Sequence, residues 1–267
     1  MYGGNKICYN FIVSKELYES RTVPLIETVG KDILDSGDQY FLIGSYDSPS
    51  YPNLLKLSNQ DHYYSVIDKT LKCLEYHYIT GTDFDWIFIG DDDTFVNVKR
   101  LNQLIHSIKA EVHKENDLFV VGATRNSNGT ETPEDNFVSL KGGAGYFMNR
   151  NTYLTIRNFC SRHNYEIRWG KVSDYTIDLI IQIYNSNNLD NPQKQIVYLN
   201  CYNMIGDINF LNDEEVYKYV TIHNKNYAYP SFAKTMYQLQ KLSTEEKTAF
   251  GFNYAHFRSP SELYYTT

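Results

Sequence analysis

The sequence predicts a single α/β domain whose mostly parallel β-sheet is covered by helices on both faces. Short apolar runs typical of buried strands alternate along the chain with segments of helical periodicity. Of the 267 residues, 42% are hydrophobic and 21% are charged, which is an ordinary globular composition. No low-complexity linker or shift in composition marks a boundary, so we expect residues 1–267 to form one domain.

In the first part of the chain, two strands are expected to flank a helix. Lys6–Val13 and Gln39–Gly44 are apolar runs of the kind found in buried strands. Between them, Leu17–Leu34 carries apolar side chains at helical spacing. The polar segment Tyr46–Asn59 contains prolines and is expected to be a loop, and Asp61 is a candidate N-cap for the helix that follows.

The same alternation continues through the rest of the chain. Trp86–Gly90 and Leu118–Gly122 are short apolar strands, and apolar residues recur at helical spacing from Val98 to Ile108. The composition of Asn126–Asn136 is that of a surface loop. The remaining elements are expected to be a helix–strand unit over Asn151–Leu199, a strand near Val216–Ile222 and a helix over Pro230–Leu242.

The composition excludes several classes of protein. Acidic residues outnumber basic ones by 32 to 25, so a net charge of −7 argues against a nucleic-acid-binding surface. No run approaches the roughly 18 apolar residues of a membrane-spanning helix, and we expect no membrane span. The first residues do not have the pattern of a signal peptide. The four cysteines form no CxxC pair, which favours buried free thiols over a zinc site.

Three adjacent carboxylates, Asp91–Asp93, follow the predicted strand Trp86–Gly90. Carboxylates about 4 Å apart repel one another by about 4 kcal/mol at an effective dielectric constant of about 20. A divalent cation would relieve this repulsion, and α/β proteins bind ligands at this end of their strands. Oxygen ligands suit Mg²⁺ or Mn²⁺. The alternative is a solvated acidic turn that caps the next helix.

Three further segments are candidates for a site. Gly142-Gly143-Ala144-Gly145 would let the backbone approach a ligand closely, although a tight turn explains it equally well. In Ser173-Asp174-Tyr175-Thr176, Asp174 is a candidate general base or, alternatively, a helix N-cap. His223 ends a strand-like run; it is either structural or a nitrogen ligand that would favour Mn²⁺.

Taken in the order in which they occur along the chain, these segments resemble those of the fringe-like and core-1-galactosyltransferase-like β1,3-glycosyltransferases. The run Trp86–Val96, with its DDD triplet, is similar to that family's W-F-x-x-x-DDD-x-[YF]-V segment, and Gly142–Tyr146 to its GGAG[YF] segment. Residues 173–176 align with its D-D-x-T segment, and His223 with a histidine near its C-terminus. The early Ser20-Arg21 is similar to its S-R pair. The matches span about residues 6 to 225.

The resemblance implies a GT-A (Rossmann-like) fold and inverting sugar transfer from a UDP-sugar donor to the hydroxyl of a glycan or glycoprotein acceptor. It implies that Mn²⁺ or Mg²⁺ is held by Asp92, Asp93 and His223, and that Asp174 is the catalytic base. The backbone of Gly142, Gly143 and Ala144 would approach the donor sugar. The resemblance also implies that Val13, Ser14 and Arg21 contact the nucleotide. Asp91 would contact the sugar or the ribose.

The chain also departs from that family. Ser173 stands where the family has Asp, and Val29 where it has Trp. Familiar members are anchored in the Golgi and rich in cysteine, whereas no anchor is evident here. We therefore expect a cytoplasmic enzyme, such as a virus-encoded one in its host's cytoplasm, and a Golgi location only if an anchor has been removed.

Two alternatives remain open at this point. Ser173 is compatible with a non-catalytic module that binds carbohydrate or nucleotide on the same fold. The acidic triplet is also compatible with a metal-dependent phosphohydrolase, although such two-metal sites gather ligands from several strands and no second carboxylate–histidine cluster is evident.

Overall fold

The structure is a computed structural model that describes most of the chain between residues 5 and 244. The described residues are 5–48, 50–51, 53–62, 65–111, 118–126, 138–163, 173–201, 204–205, 219–223 and 232–244. The segments outside these ranges include the predicted loop after Asn126, residues 216–218 of the strand predicted near Val216–Ile222, and the residues after Thr244.

The described residues form strands and helices in regular alternation. The strands are β1 (Ile7–Ile12), β2 (Gln39–Gly44), β3 (Leu54–Lys56), β4 (Trp86–Asp91), β5 (Thr94–Val96), β6 (Leu118–Gly122), β7 (Thr124–Asn126), β8 (Val138–Leu140), β9 (Tyr146–Asn149), β10 (Ile196–Asn200), β11 (Met204–Ile205) and β12 (Thr221–His223). The main helices are α1 (residues 18–35), α2 (Ser65–Thr80), α3 (Val98–Glu111), α4 (Arg150–His163), α5 (Ser173–Ser186) and α6 (Phe232–Thr244). α1 begins with a π-type turn, Tyr18–Thr22, and a second one, Ile26–Gly30, interrupts it.

Seven strands form the central sheet in the order β10-β6-β9-β4-β1-β2-β3. β1 pairs in parallel with β2 and β4, β2 with β3, and β6 with β10. β9 is antiparallel to both of its neighbours, β4 and β6. The predicted α/β fold with a mostly parallel sheet is therefore confirmed.

Hydrophobic layers cover both faces of this sheet. On one face, Tyr9 and Phe88 pack with apolar side chains from α1, α3 and α6. On the other face, the neighbouring strand residues Cys8 and Ile87 pack with side chains from α2, α4 and α5. Each fully buried large apolar side chain stabilises the fold by roughly 1.5–3 kcal/mol relative to an exposed one. The continuous apolar runs in the sequence follow from this burial on two faces.

A small second sheet lies beside the carboxyl end of β4. Its strands are ordered β11-β12-β5, and only two residues separate the end of β4 from the start of β5. His223 of β12 pairs with Thr94 of β5 in antiparallel register. This pairing brings His223 next to the acidic triplet, although the two are far apart in the sequence.

Some local predictions differ from the structure. The predicted loop Tyr46–Asn59 contains the short strand β3, which is only three residues long and gives little periodic signal. All four cysteines are free thiols, as predicted, although Cys160 is only partly buried. Within the described residues, no helix has the length and apolar character needed to cross a membrane.

Candidate active site

The acidic triplet occupies the turn between the central sheet and the small sheet. Asp91 is the last residue of β4, and Asp92 and Asp93 form the turn before β5. The Asp92 amide donates to the Ile12 carbonyl oxygen at 3.1 Å, which ties the turn to the end of β1. Asp92 and Asp93 are only 5% and 7% exposed, so a solvated acidic turn does not describe them.

Arg21 of α1 bridges the two buried carboxylates. Its Nη1 lies 2.9 Å from Asp93 Oδ2 and 3.5 Å from Asp92 Oδ1. Burial and the neighbouring Asp93 charge raise the pKa of Asp92 to about 7, although Arg21 opposes this increase. Burial alone would also raise the pKa of Asp93, but the adjacent side chains of His223 and Arg21 hold it below its ordinary value.

His223 approaches the other oxygen of Asp93. Its Nε2 lies 3.4 Å from Asp93 Oδ1, and the imidazole is largely buried. The structure therefore brings together four residues from three distant segments that sequence analysis had selected: Arg21, Asp92, Asp93 and His223. The antiparallel register of β12 and β5 is what places the histidine there.

The glycine-rich segment packs against this cluster. Gly142–Ala144 form a 3₁₀ turn, and Gly145 has a φ of +72°, a backbone conformation that favours glycine. Thr94 Oγ1 donates to the Gly143 carbonyl oxygen at 3.0 Å. A Cβ at Gly143 would lie within 2.6 Å of His223 Nε2, so only glycine fits beside this imidazole.

Helix α5, which carries Asp174 at its second position, is attached next to the glycine turn. The Leu140 amide, two residues before that turn, donates to Asp178 Oδ2 at 3.0 Å. Tyr198 Oη donates to Asp178 Oδ1 at 3.0 Å. Asp174 stands one helical turn before Asp178, at the end of α5 that begins at Ser173. The side chains of residues 173–175 lie outside what the structure describes.

Two residues hold the segment after β1: Lys69, which sequence analysis missed, and Asp61, which it assigned to a helix cap. Lys69 Nζ donates to the Val13 carbonyl oxygen and to Asp61 Oδ1, and Asp61 Oδ2 accepts from the Lys15 amide. Asp61 is therefore not the N-cap of α2, which begins at Ser65. A charged side chain on the buried face of a helix has no signature in apolar periodicity.

Three tyrosines near the same segment were also missed. The Tyr18 ring lies 5.8 Å from that of Tyr46 and 5.0 Å from that of Tyr51, both in edge-to-face contacts. They come from α1 and from the loop after β2. With 25 tyrosines spread through the chain, no local pattern distinguishes these three.

The comparison with protein families decides the relationship. The profile described as Fringe-like matches residues 57–228, which is more than half of the chain. The protein belongs to the Fringe-like family. This membership confirms the resemblance read from the motifs, supports glycosyltransferase activity, and agrees with the GT-A fold predicted for a sheet of this kind.

Several solved structures resemble this Fringe-like protein, all with low sequence identity. A glycosyltransferase involved in the glycosylation of the major capsid of PBCV-1 is 13% identical, with a TM-score of 0.48 over 87% of this chain and 98% of that chain. The apo-form glycosyltransferase GlyE of Streptococcus pneumoniae TIGR4 is 13% identical, with a TM-score of 0.45 over 89% of this chain and 60% of that chain. Structural similarity this low says nothing about the mechanism. No curated protein matches the sequence.

Asp93 is the residue of this site whose surroundings best suit a divalent cation. Among the described residues, no group of three or more His, Cys, Asp and Glu side chains is arranged as a complete metal-ligand set. Arg21 contacts both predicted aspartate ligands, but Asp93 Oδ1 is buried, faces His223 Nε2 and has no hydrogen-bond partner of good geometry within the described ranges. These two groups, a carboxylate oxygen and an imidazole nitrogen, would suit Mn²⁺.

Proposed function

We propose that this Fringe-like protein is an inverting glycosyltransferase that moves a sugar from a UDP-sugar to an acceptor hydroxyl with the help of Mn²⁺ or Mg²⁺. The observation that carries the proposal is the cluster of Asp92, Asp93, His223 and Arg21 at the carboxyl edge of β4. Family membership supplies the reaction class, and this cluster supplies a place where the charges of a diphosphate can be balanced.

The charge arrangement supports binding of an anionic donor. Asp93 Oδ1 and His223 Nε2 would hold the cation, with Asp92 beside them. When bound, the cation would supply Lewis-acid stabilisation of the charge that develops on the departing diphosphate. Arg21 adds a second, permanent positive charge at the same edge of the sheet. An acidic protein can in this way bind a nucleotide sugar.

Asp174 is the proposed general base. It would accept the proton of the acceptor hydroxyl as that oxygen attacks the sugar, so that a single displacement inverts the anomeric centre. The backbone of Gly142, Gly143 and Ala144 would lie against the donor sugar, while Val13 and Ser14 would contact the nucleotide. Asp91 would contact the sugar or ribose, and the acceptor is proposed to be a glycan or glycoprotein.

Release of UDP from a panel of UDP-sugars, with and without Mn²⁺, tests the proposal. We expect at least one donor to be consumed, and we expect Asp93→Ala to abolish metal-dependent donor binding in calorimetry. Asp83→Ala is the matched control, because this exposed carboxylate pairs with Lys6 at the opposite end of β4. If every donor stays intact under all conditions, the enzyme proposal is wrong. Binding without turnover would instead identify a non-catalytic module.

The role of Asp174 has a separate test. Asp174→Asn should keep donor binding and lower kcat by roughly 10²- to 10⁴-fold, the usual contribution of a general base. Asp190→Asn, beyond the far end of the same helix and exposed, should turn over at the normal rate. Steady-state kinetics with a saturating donor measure both, and normal turnover by Asp174→Asn would rule out the assignment.

A further inference from the structure

The segment that follows β1 is held by an ion pair between the buried Lys69 and the partly exposed Asp61. Lys69 of α2 is 2% exposed, and its Nζ donates to the Val13 carbonyl oxygen at 2.8 Å and to Asp61 Oδ1 at 2.6 Å. Asp61 Oδ2 accepts from the Lys15 amide at 2.6 Å and from the Ser14 hydroxyl at 3.3 Å. One lysine and one aspartate thus fix three consecutive residues.

The segment held in this way lies against the acidic turn. The Asp92 amide donates to the Ile12 carbonyl oxygen at 3.1 Å, and Ser14 makes a backbone hydrogen bond to the Asp92 carboxylate. Residues 13–15 therefore lie between the Lys69–Asp61 pair on one side and the proposed donor site on the other. Any displacement of this segment would be transmitted to Asp92.

Folding stability alone does not account for the pair. Removing a charge such as that of Lys69 from water costs about as much free energy as its attraction to a partner returns, and apolar replacements of buried ion pairs often leave stability unchanged or higher. Lysine is also rarely found fully buried. Charged hydrogen bonds do, however, hold their partners in one geometry, and a site ordered in advance binds its ligand more tightly.

We propose that the Lys69–Asp61 pair is a positioning device that orders residues 13–15 for the nucleotide part of the donor. This inference rests on the proposed function. Neither side chain is assigned a contact with the reacting atoms; both act through the backbone and hydroxyl groups that they hold. The pair therefore controls the affinity of the nucleotide, and the rate of the chemical step at saturating donor depends on it far less.

The test removes both charges together. Lys69→Met/Asp61→Leu is expected to fold with a Tm within a few degrees of the wild type, to weaken UDP binding in calorimetry by roughly 10- to 100-fold, and to raise donor KM similarly with little change in kcat. The matched control is Arg157→Met/Glu75→Gln. It removes an ion pair between α4 and α2 that lies outside the proposed site, and it should leave UDP affinity unchanged.

The outcomes separate the two proposals. If the wild type binds UDP and the double variant binds it equally well, the positioning role is overturned. A loss of kcat at unchanged KM would overturn it too. If the wild type itself binds no UDP or UDP-sugar, the proposed function fails and this inference fails with it. Should the double variant not fold, Asp61→Asn decides by the same measurements, and unchanged UDP affinity would again contradict the role.

Discussion

The His223 imidazole occupies the space that a side chain at Gly143 would need. The glycine backbone cannot easily move away, because its carbonyl oxygen accepts from Thr94 and the next carbonyl oxygen, that of Ala144, accepts from Thr221 at 2.6 Å. Thr94 and Thr221 belong to the same small sheet as His223. The glycine turn therefore sets the position of the histidine as firmly as its own strand does.

Gly143→Ala should displace the imidazole from Asp93. We expect the free energy of unfolding to fall by about 1–3 kcal/mol, as for other overpacked sites, and Mn²⁺-dependent UDP binding to be lost. Gly81→Ala is the control, since Gly81 has a φ of +63° but no atom near its missing Cβ. That variant should lose stability through backbone strain and keep its binding. Urea unfolding and calorimetry measure both effects, and normal metal-dependent binding by Gly143→Ala would contradict the argument.

At the scale of single residues, sequence patterns selected side chains with a distinctive local chemistry and missed those whose contacts form only in the folded protein. The Asp91–Asp93 triplet was recognisable because adjacent carboxylates need a counter-charge. Asp61 was misjudged as a helix cap because its partner, Lys69, is recognisable only once α2 has docked on β1. Local spacing contains no information about that docking.

Helix α2 presents an unusual buried face to the sheet. Ser65, Lys69, Cys73 and His77 recur every fourth residue and are all buried. His77 Nε2 lies 2.7 Å from Asn10 Oδ1, so it carries the proton and donates, while Nδ1 lies 3.1 Å from the Thr82 hydroxyl and accepts. The element is thus matched to β1 by hydrogen bonds as well as by apolar contact.

This burial makes stability depend on pH. Loss of hydration lowers the pKa of His77 from 6.5 to about 4, so the folded protein keeps the ring neutral while the unfolded chain binds a proton. Its stability contribution is complete above pH 6.5 and is lost as the pH falls from 6.5 to about 4. The loss amounts to about 3 kcal/mol.

Urea unfolding across that pH range checks the prediction. The wild type should lose about 3 kcal/mol more than His77→Gln, in which no imidazole titrates. Comparing the two proteins at each pH removes the contributions of the carboxylates, including that of Asp92, which has the opposite sign. Parallel pH profiles for the wild type and the variant would contradict the buried neutral histidine.

At the scale of the whole molecule, the order of elements and the layered architecture could be predicted, because strands buried on two faces are continuously apolar. Sequence patterns could not predict the antiparallel direction of β9 or the small sheet that brings His223 to Thr94, because strand pairing between distant segments leaves no local pattern. The single domain over residues 1–267 and the metal set stay predictions.

The insertion of β9 between β4 and β6 also has a consequence for the order of folding. Its partners are distant in sequence, with Ile87 opposite Met148, and closing so long a loop is slow. Until β9 is in place, β4 and β6 each expose an unpaired edge, which is the type of surface that recruits other chains. The glycine turn precedes β9 directly, so we expect competence to bind the donor to appear only once β9 has paired with both β4 and β6.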